Sequence, residues 1–194
     1  MQGELVRLRA YEKSDADALF RWFSDEEVTR WLGPPNLRSR AQQEQFIEMA
    51  SASGDDAKYF AIETLDGKLA GDCGLRKIDW KSRKAEFFIT IGEKQLWGKG
   101  LGSDALRIVI RLAFHRMNLN RLWLTTLVDN SRAVRCYEKC GFVREGLLRP
   151  RANEIAGYDP APMLAAVARV HFAEHPQQVA ALAAFIEQVG PEPE

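Results

Sequence analysis

The sequence predicts a single α/β domain, built on a mixed, mostly antiparallel sheet of about six or seven strands with about four or five flanking helices. Two observations predict this class. Residues 59–91 contain three short strand-like runs, and residues 92–148 alternate between strand and helix patterns. A chain of 194 residues has the length of one substantial domain. We expect that domain to fill residues 1–194, with a core at 5–168 and a C-terminal helix and tail at 169–194.

The first elements are a strand and two helices. Residues 5–9 alternate apolar and charged side chains, as a half-buried strand does. Ser14 is typical of a helix N-cap, because aspartates follow in the first turn, where the helix dipole favours acids. Ser39 with Gln42 resembles a capping box for a second helix that ends near Ala52.

The middle of the chain changes to strands. Residues 59–64 and 69–78 are strand-like, and Asp66-Gly67 between them is a strong two-residue hairpin turn. A third strand, 85–91, follows a polar turn. We therefore expect these three strands to form an antiparallel meander.

The rest of the chain alternates helices with strands. Apolar residues at helical spacing predict a helix after the meander, and Gly141 is well placed to end the shorter helix that comes later. Pro160 and Pro162 lack N–H donors, so a strand through them up to Met163 should be an edge or irregular strand. The remaining elements are predicted at residues 103–117, 121–128, 131–139, 142–148 and 177–189, with a frayed tail at 190–194.

Composition and charge indicate an ordinary globular protein. Lys plus Arg equals Asp plus Glu, 27 against 27, so no basic excess points to nucleic acid. No apolar run is long enough to indicate a membrane span. The three cysteines match neither a redox pair nor a metal spacing, which favours a cytoplasmic location. The histidines are too scattered to indicate a metal site, and we predict none.

A glycine-rich loop lies between the meander and the next helix. Its sequence at residues 98–102 is Gly-Lys-Gly-Leu-Gly. Glycines let the backbone come close to a ligand, and the free N–H groups at a helix start attract anions. Because Lys99 adds positive charge, a diphosphate is the natural occupant.

Several kinds of diphosphate site are compatible with a glycine loop. This loop lacks the Gly-x-x-x-x-Gly-Lys-Ser/Thr pattern of a P-loop. Residues 100–105 match the Gly-x-Gly-x-x-Ala pattern of a dinucleotide site, with Asp129 at the end of the next strand. Too little chain follows Asp129, however, for the second half of that fold. A tight turn without a ligand is a further interpretation.

A second motif runs from Asn130 to Phe142 with the pattern Asn-x-x-Ala-x-x-x-Tyr-Glu-Lys-x-Gly-Phe. Together with Trp-Gly-Lys-Gly-Leu-Gly from Trp97, it resembles the GCN5-related N-acetyltransferase (GNAT) family. Within that family the chain most resembles the ribosomal-protein N-terminal acetyltransferase and spermidine acetyltransferase branches. The resemblance is strong over residues 86–149 and loose in the helices before them.

The resemblance implies the GNAT fold and acetyl-coenzyme A (acetyl-CoA) as cofactor. The pyrophosphate would lie on backbone amides of the glycine loop. The pantetheine arm would pair like an extra strand with the last meander strand, where a β-bulge would open a slot. Asn130 would contact the arm, or alternatively cap the following helix. The residues implied in cofactor binding are Ile89, Thr90, Ile91, Trp97, Gly98, Lys99, Gly100, Leu101, Gly102, Ser103, Asn130, Ala133 and Tyr137.

Two residues match catalytic positions of the family. Tyr137 matches the general acid, which would protonate the coenzyme A thiolate as it leaves; the alternative is a packed aromatic residue. Glu86 matches a position that takes the proton of the attacking amine, often through water; the alternative is a solvated carboxylate at a strand end. Cys136 and Cys140 have no nearby histidine to activate them and are interpreted as packing residues.

The implied activity is direct transfer of an acetyl group from the thioester to a primary amine. The acceptor would be a small molecule, such as a polyamine or an aminoglycoside, or a peptide N-terminus; the alternative function is a non-catalytic acyl-CoA-binding module. The family's acceptor site is walled by the first helices, which implicates Glu26, Glu27, Trp31 and residues 33–38, with Trp80 from the meander. We expect a monomer or homodimer without nucleic-acid or membrane partners.

Overall fold

The computed structural model describes residues 1–32, 38–52, 54–148 and 163–169. The helices are α1 (Ala16–Phe23), α2 (Glu26–Thr29), α3 (Arg40–Ser51), α4 (Leu101–Arg111) and α5 (Ser131–Lys139). The strands are β1 (Val6–Arg9), β2 (Lys58–Thr64), β3 (Leu69–Asp79), β4 (Lys84–Ile91), β5 (Arg121–Leu127), β6 (Val143–Leu148) and β7 (Met163–Arg169). The predicted helix at 177–189, the tail at 190–194 and the loop at 33–37 lie outside the described residues.

The strands form one sheet in the order β1-β2-β3-β4-β5-β7-β6. Neighbouring strands are antiparallel except β4 and β5, which are parallel. The predicted meander is β2, β3 and β4, and Gly67 adopts a left-handed φ of 89° in the hairpin between the first two. The predicted class, a mixed and mostly antiparallel α/β domain, is confirmed.

The two faces of the sheet have separate hydrophobic cores. On one face, Leu75 and its neighbours pack against α4 residues such as Leu106. On the other face, Ala61 packs with Leu19 of α1 and Ile47 of α3. Because side chains alternate along a strand, successive residues of β4 point to opposite faces. This alternation decides which side of the sheet each candidate site residue serves.

The N-terminus of α4, which follows the glycine loop, is fixed by a buried carboxylate. Asp104 accepts hydrogen bonds from the backbone N–H groups of Glu4 at 3.2 Å, Leu5 at 2.7 Å and Val6 at 3.0 Å. The helix begins at Leu101, two residues before the predicted start. The segment leading into β1 therefore holds the start of α4 in place.

A gap opens between the parallel strands β4 and β5. They pair only where Lys84, Ala85 and Glu86 lie beside the first residues of β5. From Phe87 onward β4 pairs with β3 alone. The predicted slot is therefore present, but the predicted β-bulge at residues 89–91 is wrong, because β3 and β4 stay in register there. The slot results from divergence of the two strands.

The predicted N-cap at Ser14 is wrong. Ser14 lies inside a 3-10 turn, Lys13–Asp15, and α1 begins only at Ala16. The carboxylate of Asp15 accepts the backbone N–H of Glu12 at 2.9 Å, so the capping interaction starts two residues earlier than predicted.

The predicted edge position of the last strand is also wrong. Pro160 and Pro162, and the irregular strand predicted through them, lie outside the described residues, and the described strand β7 begins at Met163. It pairs with β5 on one side and β6 on the other. The edge of the sheet is β6 instead.

Candidate active site

A cavity of about 1230 Å³ follows the gap in the sheet. One end, here called the loop end, is formed by residues 97–103 and α5. The other end, here called the aromatic end, is lined by Phe46, Tyr59 and Phe88 on the face covered by α1 and α3. The cavity therefore connects a glycine loop to a chamber on the opposite face of the sheet.

The glycine loop has the backbone geometry of an anion site. Gly98 and Gly100 adopt left-handed φ values of 76° and 89°, which glycine tolerates best. The amide of Asp104 is bonded to the carbonyl of Gly100 within α4. The preceding amides, of residues 101–103, belong to the first turn, where N–H groups have no acceptor inside the helix. Together with the helix dipole they favour a phosphate at this position.

Trp97 joins the glycine loop to its surroundings. Its indole N–H donates to the carbonyl of Ile91 at 2.6 Å, which ties the loop to the end of β4. The guanidinium of Arg132 lies 3.9 Å from the centre of the Trp97 ring, a cation–π contact that ties the loop to α5. Lys99, which the sequence also implicates, is exposed and lies outside the cavity walls.

Helix α5 brings three cations to the loop end. Arg132, Arg135 and Lys139 line the cavity at helical spacing, and sequence analysis did not single them out. Their positions, three and four residues apart, are the signal that identifies one face of a helix. Asn130 caps α5, because its side chain accepts the backbone N–H of Ala133 at 3.2 Å. Both residues also line the cavity.

Tyr137 lies in the cavity wall on the same helix. Its ring is 8% exposed and packs edge-on against Phe87, with centroids 6.4 Å apart, and obliquely on Phe142 at 6.0 Å. Burial raises the pKa of the Tyr137 phenol above its ordinary value. The phenol therefore keeps its proton at neutral pH and is available as a hydrogen-bond donor.

Glu86 lines the cavity between two cations. Its carboxylate, 4% exposed, contacts Arg76 at 2.6 Å and Lys77 at 2.7 Å. Lys77 reaches it from an irregularity in β3, where its φ is 52°. Burial acts to raise the pKa of Glu86, but the hydrogen bonds from Arg76 and Lys77 outweigh it and leave the pKa below its ordinary value. Glu86 is thus a stable anion and a weak proton acceptor.

Asp72 is a second carboxylate in the cavity wall, and sequence analysis missed it. It is 3% exposed on the central strand β3, and the Tyr11 hydroxyl donates to its Oδ2 at 3.0 Å. Burial raises the pKa of Asp72 to about 6, although Tyr11, Thr90 and the charge of Arg38 act in the opposite direction. The available signal was a lone acid inside an otherwise uncharged run of a central strand.

The cysteines differ in their surroundings. Cys140 is fully buried, as the packing interpretation expects, whereas Cys136 is half-buried and lines the loop end. The Cys136 sulfur lies 3.2 Å from the Ser103 hydroxyl. Interaction with Cys140 and then with Ser103 lowers the pKa of Cys136 to about 7. Cys136 therefore belongs to the cavity wall beside the glycine loop.

The residues implicated at the acceptor wall are only partly brought to the cavity. Trp31 and Arg38 line it, at its aromatic end. Glu27 instead pairs with Lys94 at 3.0 Å, and Trp80 donates to the backbone of Asp55 at 2.9 Å. Neither Glu26, Glu27 nor Trp80 forms part of the cavity walls.

A glycine loop suited to a phosphate, a gap between parallel strands and a chamber beyond the gap are the arrangement expected of an acyl-CoA-dependent transferase. Comparison with known families agrees: the family model described as "Acetyltransferase (GNAT) domain" matches residues 6–143. The chain belongs to the GNAT acetyltransferase family. It is an N-acetyltransferase, and acetyl-CoA is its acetyl donor.

Named relatives share most of the chain. A spermidine N(1)-acetyltransferase of Vibrio cholerae is 36% identical over 149 residues, 76% of this chain and 84% of that protein. An aminoglycoside N(6')-acetyltransferase of Klebsiella pneumoniae is 28% identical over 165 residues, 74% and 77% of the two proteins. The crystal structure of spermidine N-acetyltransferase from Vibrio cholerae in complex with CoA and spermine superposes with a TM-score of 0.74 at 24% identity, covering 84% of this chain and 95% of that one.

The predicted family, fold, enzyme class and cofactor are confirmed by these comparisons. Within the part of the chain that the structure describes, no helix is both long and apolar enough to cross a membrane.

Proposed function

We propose that the acceptor of this N-acetyltransferase is a primary amine of a small molecule, bound at the aromatic end of the cavity. The observation that carries the proposal is the continuity of the cavity from the glycine loop, through the gap, to that chamber. An amine bound beyond the gap would meet a thioester that enters from the loop end. The spermidine and aminoglycoside acetyltransferases among the relatives support a small amine over a peptide N-terminus.

The charges at the aromatic end further restrict the class of molecule that can act as acceptor. Among the described residues at the aromatic end and the gap, Arg38 and Arg76 offset Asp72 and Glu86 in the cavity wall. A site without net negative charge gives little electrostatic attraction to a molecule with many positive charges. This balance favours an acceptor with one or two ammonium groups over a long polycation.

The loop end is proposed to hold acetyl-CoA. Its phosphates would lie on the first-turn amides of α4, within reach of the cations of α5. The backbone of residues 89–91, which is unpaired toward β5, would pair with the pantetheine arm as an added strand. Asn130 and Ala133 would contact the arm where α5 faces the gap.

The reaction must remove two protons from the acceptor's ammonium group. The first leaves before attack, because only the neutral amine has a lone pair for the thioester carbonyl. As the C–N bond forms and the C–S bond breaks, Tyr137 is proposed to donate its proton to the departing sulfur. The second amine proton then restores the phenol. The acceptor of the first proton is one of the two cavity carboxylates, Glu86 or Asp72.

The test of the proposed acceptor is a screen for acetyl-CoA-dependent thiol release. The panel contains spermidine, kanamycin, simple mono- and diamines, amino acids and short peptides. The proposal predicts turnover with small amines and faster turnover with diamines than with spermine. Turnover confined to peptides would assign the acceptor to a peptide N-terminus, and acetyl-CoA binding without any turnover would indicate a non-catalytic binding module.

A variant pair tests the cofactor placement. A Cβ at Gly102 would lie 3.8 Å from Ile89, Ile91 and Cys136, which is ordinary contact, so Gly102→Val should fold but fill the path of the arm. An added Cβ at Gly146 would meet no atom of the described residues within 4 Å, and Gly146→Val is the control. Calorimetric titration should show at least ~10-fold weaker acetyl-CoA binding for the first variant only. Normal binding by Gly102→Val would move the arm elsewhere.

A cytoplasmic location and a monomeric or homodimeric state are further proposals, as is the absence of a nucleic-acid partner. The described cysteines, Cys73, Cys136 and Cys140, are all free thiols, which supports a reducing compartment. The equal numbers of acidic and basic residues support the absence of a nucleic-acid partner.

A further inference from the structure

We propose that Asp72, and not Glu86, is the catalytic residue that accepts the first proton from the acceptor's ammonium group. The inference rests on the proposed function, direct transfer of the acetyl group to an amine. It assigns to this chain a base that the resemblance does not imply, on a strand adjacent to the one that carries Glu86.

Asp72 lies in the strand next to the one proposed to bind the pantetheine arm. Asp72 of β3 is paired with Thr90 of β4. Side chains of directly opposite residues in antiparallel strands lie about 4.5–5.5 Å apart at Cβ, on the same face. Thr90 belongs to the stretch of β4 proposed to hold the pantetheine arm, so only β4 separates the strand of Asp72 from the arm, a distance of about two strand spacings of about 4.8 Å each.

Asp72 lies on the face of the sheet where the acceptor is proposed to bind. Ile89 and Ile91 pack on the core beneath α4, whereas Phe88 and Thr90 alternate to the opposite face. Asp72 shares that opposite face with Tyr11, which packs on the α1–α3 core. The acceptor is proposed to bind on this side, so Asp72 faces the amine.

The two carboxylate oxygens of Asp72 differ in their hydrogen bonding. Tyr11 donates to Oδ2, whereas the buried Oδ1 accepts no well-formed hydrogen bond among the described residues, although the Thr90 hydroxyl lies close enough to Asp72 to lower its pKa. Oε2 of Glu86 also accepts no well-formed hydrogen bond, but the Lys77 ammonium lies 2.7 Å from it. A buried carboxylate oxygen without a donor is costly and is expected to have a ligand. An ammonium group in the cavity supplies both the missing hydrogen bond and the compensating charge.

Glu86 is less suited to the same task. Arg76 and Lys77 already occupy its two oxygens. Protonating Glu86 would break both ion pairs, whereas Asp72 forms no ion pair with the described residues that protonation would break.

The groups facing Asp72 set its basicity. They are the Tyr11 hydroxyl, the Thr90 hydroxyl on β4, the Arg38 guanidinium before α3 and the neighbouring Cys73 thiol, which stays protonated because burial raises its pKa. With burial dominant, the pKa of Asp72 reaches about 6. Asp72 is then ionised at pH 7 and still basic enough to take a proton.

The proton transfers balance as follows. Oδ1 of Asp72 takes one proton from the ammonium nitrogen, whose freed lone pair forms the C–N bond at the thioester carbonyl. The C–S electron pair leaves with sulfur, which takes the Tyr137 proton, and the second nitrogen proton returns to the phenolate. Asp72 then releases its proton to water. One proton is released per acetyl group transferred.

Two variants decide between the carboxylates. Asp72→Asn should lower kcat at pH 7 by about 100-fold, the size of a general-base effect, with acetyl-CoA affinity within about twofold of wild type. The acceptor 1,4-diaminobutane is the first probe, and spermidine and kanamycin are run alongside it. A larger loss in Glu86→Gln than in Asp72→Asn would overturn the proposal. Glu63→Gln is the control, because Glu63 is a buried carboxylate held by Arg7 and Arg9 outside the cavity walls.

The pH profile separates catalysis from a structural role. Wild-type kcat should fall below about pH 6, and Asp72→Asn should lose that limb. Tyr11→Phe removes a hydrogen bond that lowers the pKa of Asp72, so the limb should move to higher pH. An unmoved limb would remove Asp72 from the mechanism. If wild type and Asp72→Asn acetylate the amine at equal rates, this inference alone is refuted. If wild type acetylates no amine, the proposed function is refuted.

Discussion

Replacing Asp72 by Asn should change how the stability of the protein depends on pH. The pKa of Asp72 is about 6 in the folded protein against an ordinary value of 3.8. Between these values the folded state holds a proton that the unfolded chain lacks, so wild-type stability falls as the pH rises through this window. From about pH 4.5 to about pH 7.5 the loss from this one group is about 2 kcal/mol.

The asparagine variant cannot lose this contribution, because its side chain does not titrate. Its unfolding free energy relative to wild type should therefore increase by about 2 kcal/mol between about pH 4.5 and about pH 7.5. Any constant cost of burying the amide is the same at both pH values and cancels. Distant carboxylates titrate alike in both proteins and cancel as well.

Urea unfolding followed by tryptophan fluorescence measures the effect at both pH values. Glu63→Gln is the control of opposite sign: hydrogen bonding to Arg9 lowers the pKa of Glu63, so its contribution is lost only as the pH falls below its ordinary value of 4.5. That variant should show little change above about pH 5. A difference between Asp72→Asn and wild type that stays constant across the range would refute the burial and titration assigned to Asp72.

Three further predictions concern the donor side and the fold. Tyr137→Phe should lower kcat by about 100-fold with acetyl-CoA affinity within about twofold, because the ring packing stays while the proton donor is lost; unchanged turnover would exclude the phenol from the reaction. Arg132→Ala should weaken acetyl-CoA binding in calorimetric titration. Arg132→Lys should restore binding only in part, since lysine keeps the charge but not the planar contact with Trp97. Equal affinity in all three proteins would contradict a role for Arg132 in binding the phosphates. Asp104→Ala should lower the free energy of unfolding by about 3 kcal/mol, because three backbone N–H groups lose their acceptor; an unchanged urea midpoint would show that water replaces it.

Local patterns predict much of the fold and of the loop end of the site. The meander follows from alternation and from the Asp66-Gly67 turn, and α5 has the predicted bounds, 131–139, because its cap and its stop are local signals. The glycine loop is recognisable because left-handed φ values at Gly98 and Gly100 need a particular residue type.

The aromatic end depends on strand register and packing, which a sequence does not display. The pairing of Asp72 with Thr90 becomes visible only once β3 and β4 are aligned. The contact of Lys77 with Glu86 depends on an irregularity in β3, and no turn residue in the sequence indicates that irregularity. The sequence therefore does not show that Glu86 contacts two cations. The hydrogen bond that Asp72 accepts comes from Tyr11, 61 residues away in sequence, and no local pattern indicates it.

The central claim is that acetyl-CoA reacts with a small amine across the gap between β4 and β5. The most direct measurement is mass spectrometry of a small diamine incubated with acetyl-CoA and wild type, Gly102→Val or Gly146→Val protein. Reaction across this gap predicts N-acetylated diamine and matching free coenzyme A with wild type and Gly146→Val, and neither product above background with Gly102→Val. Acetylated product formed equally by Gly102→Val would contradict it, because the reaction would then not pass through this gap.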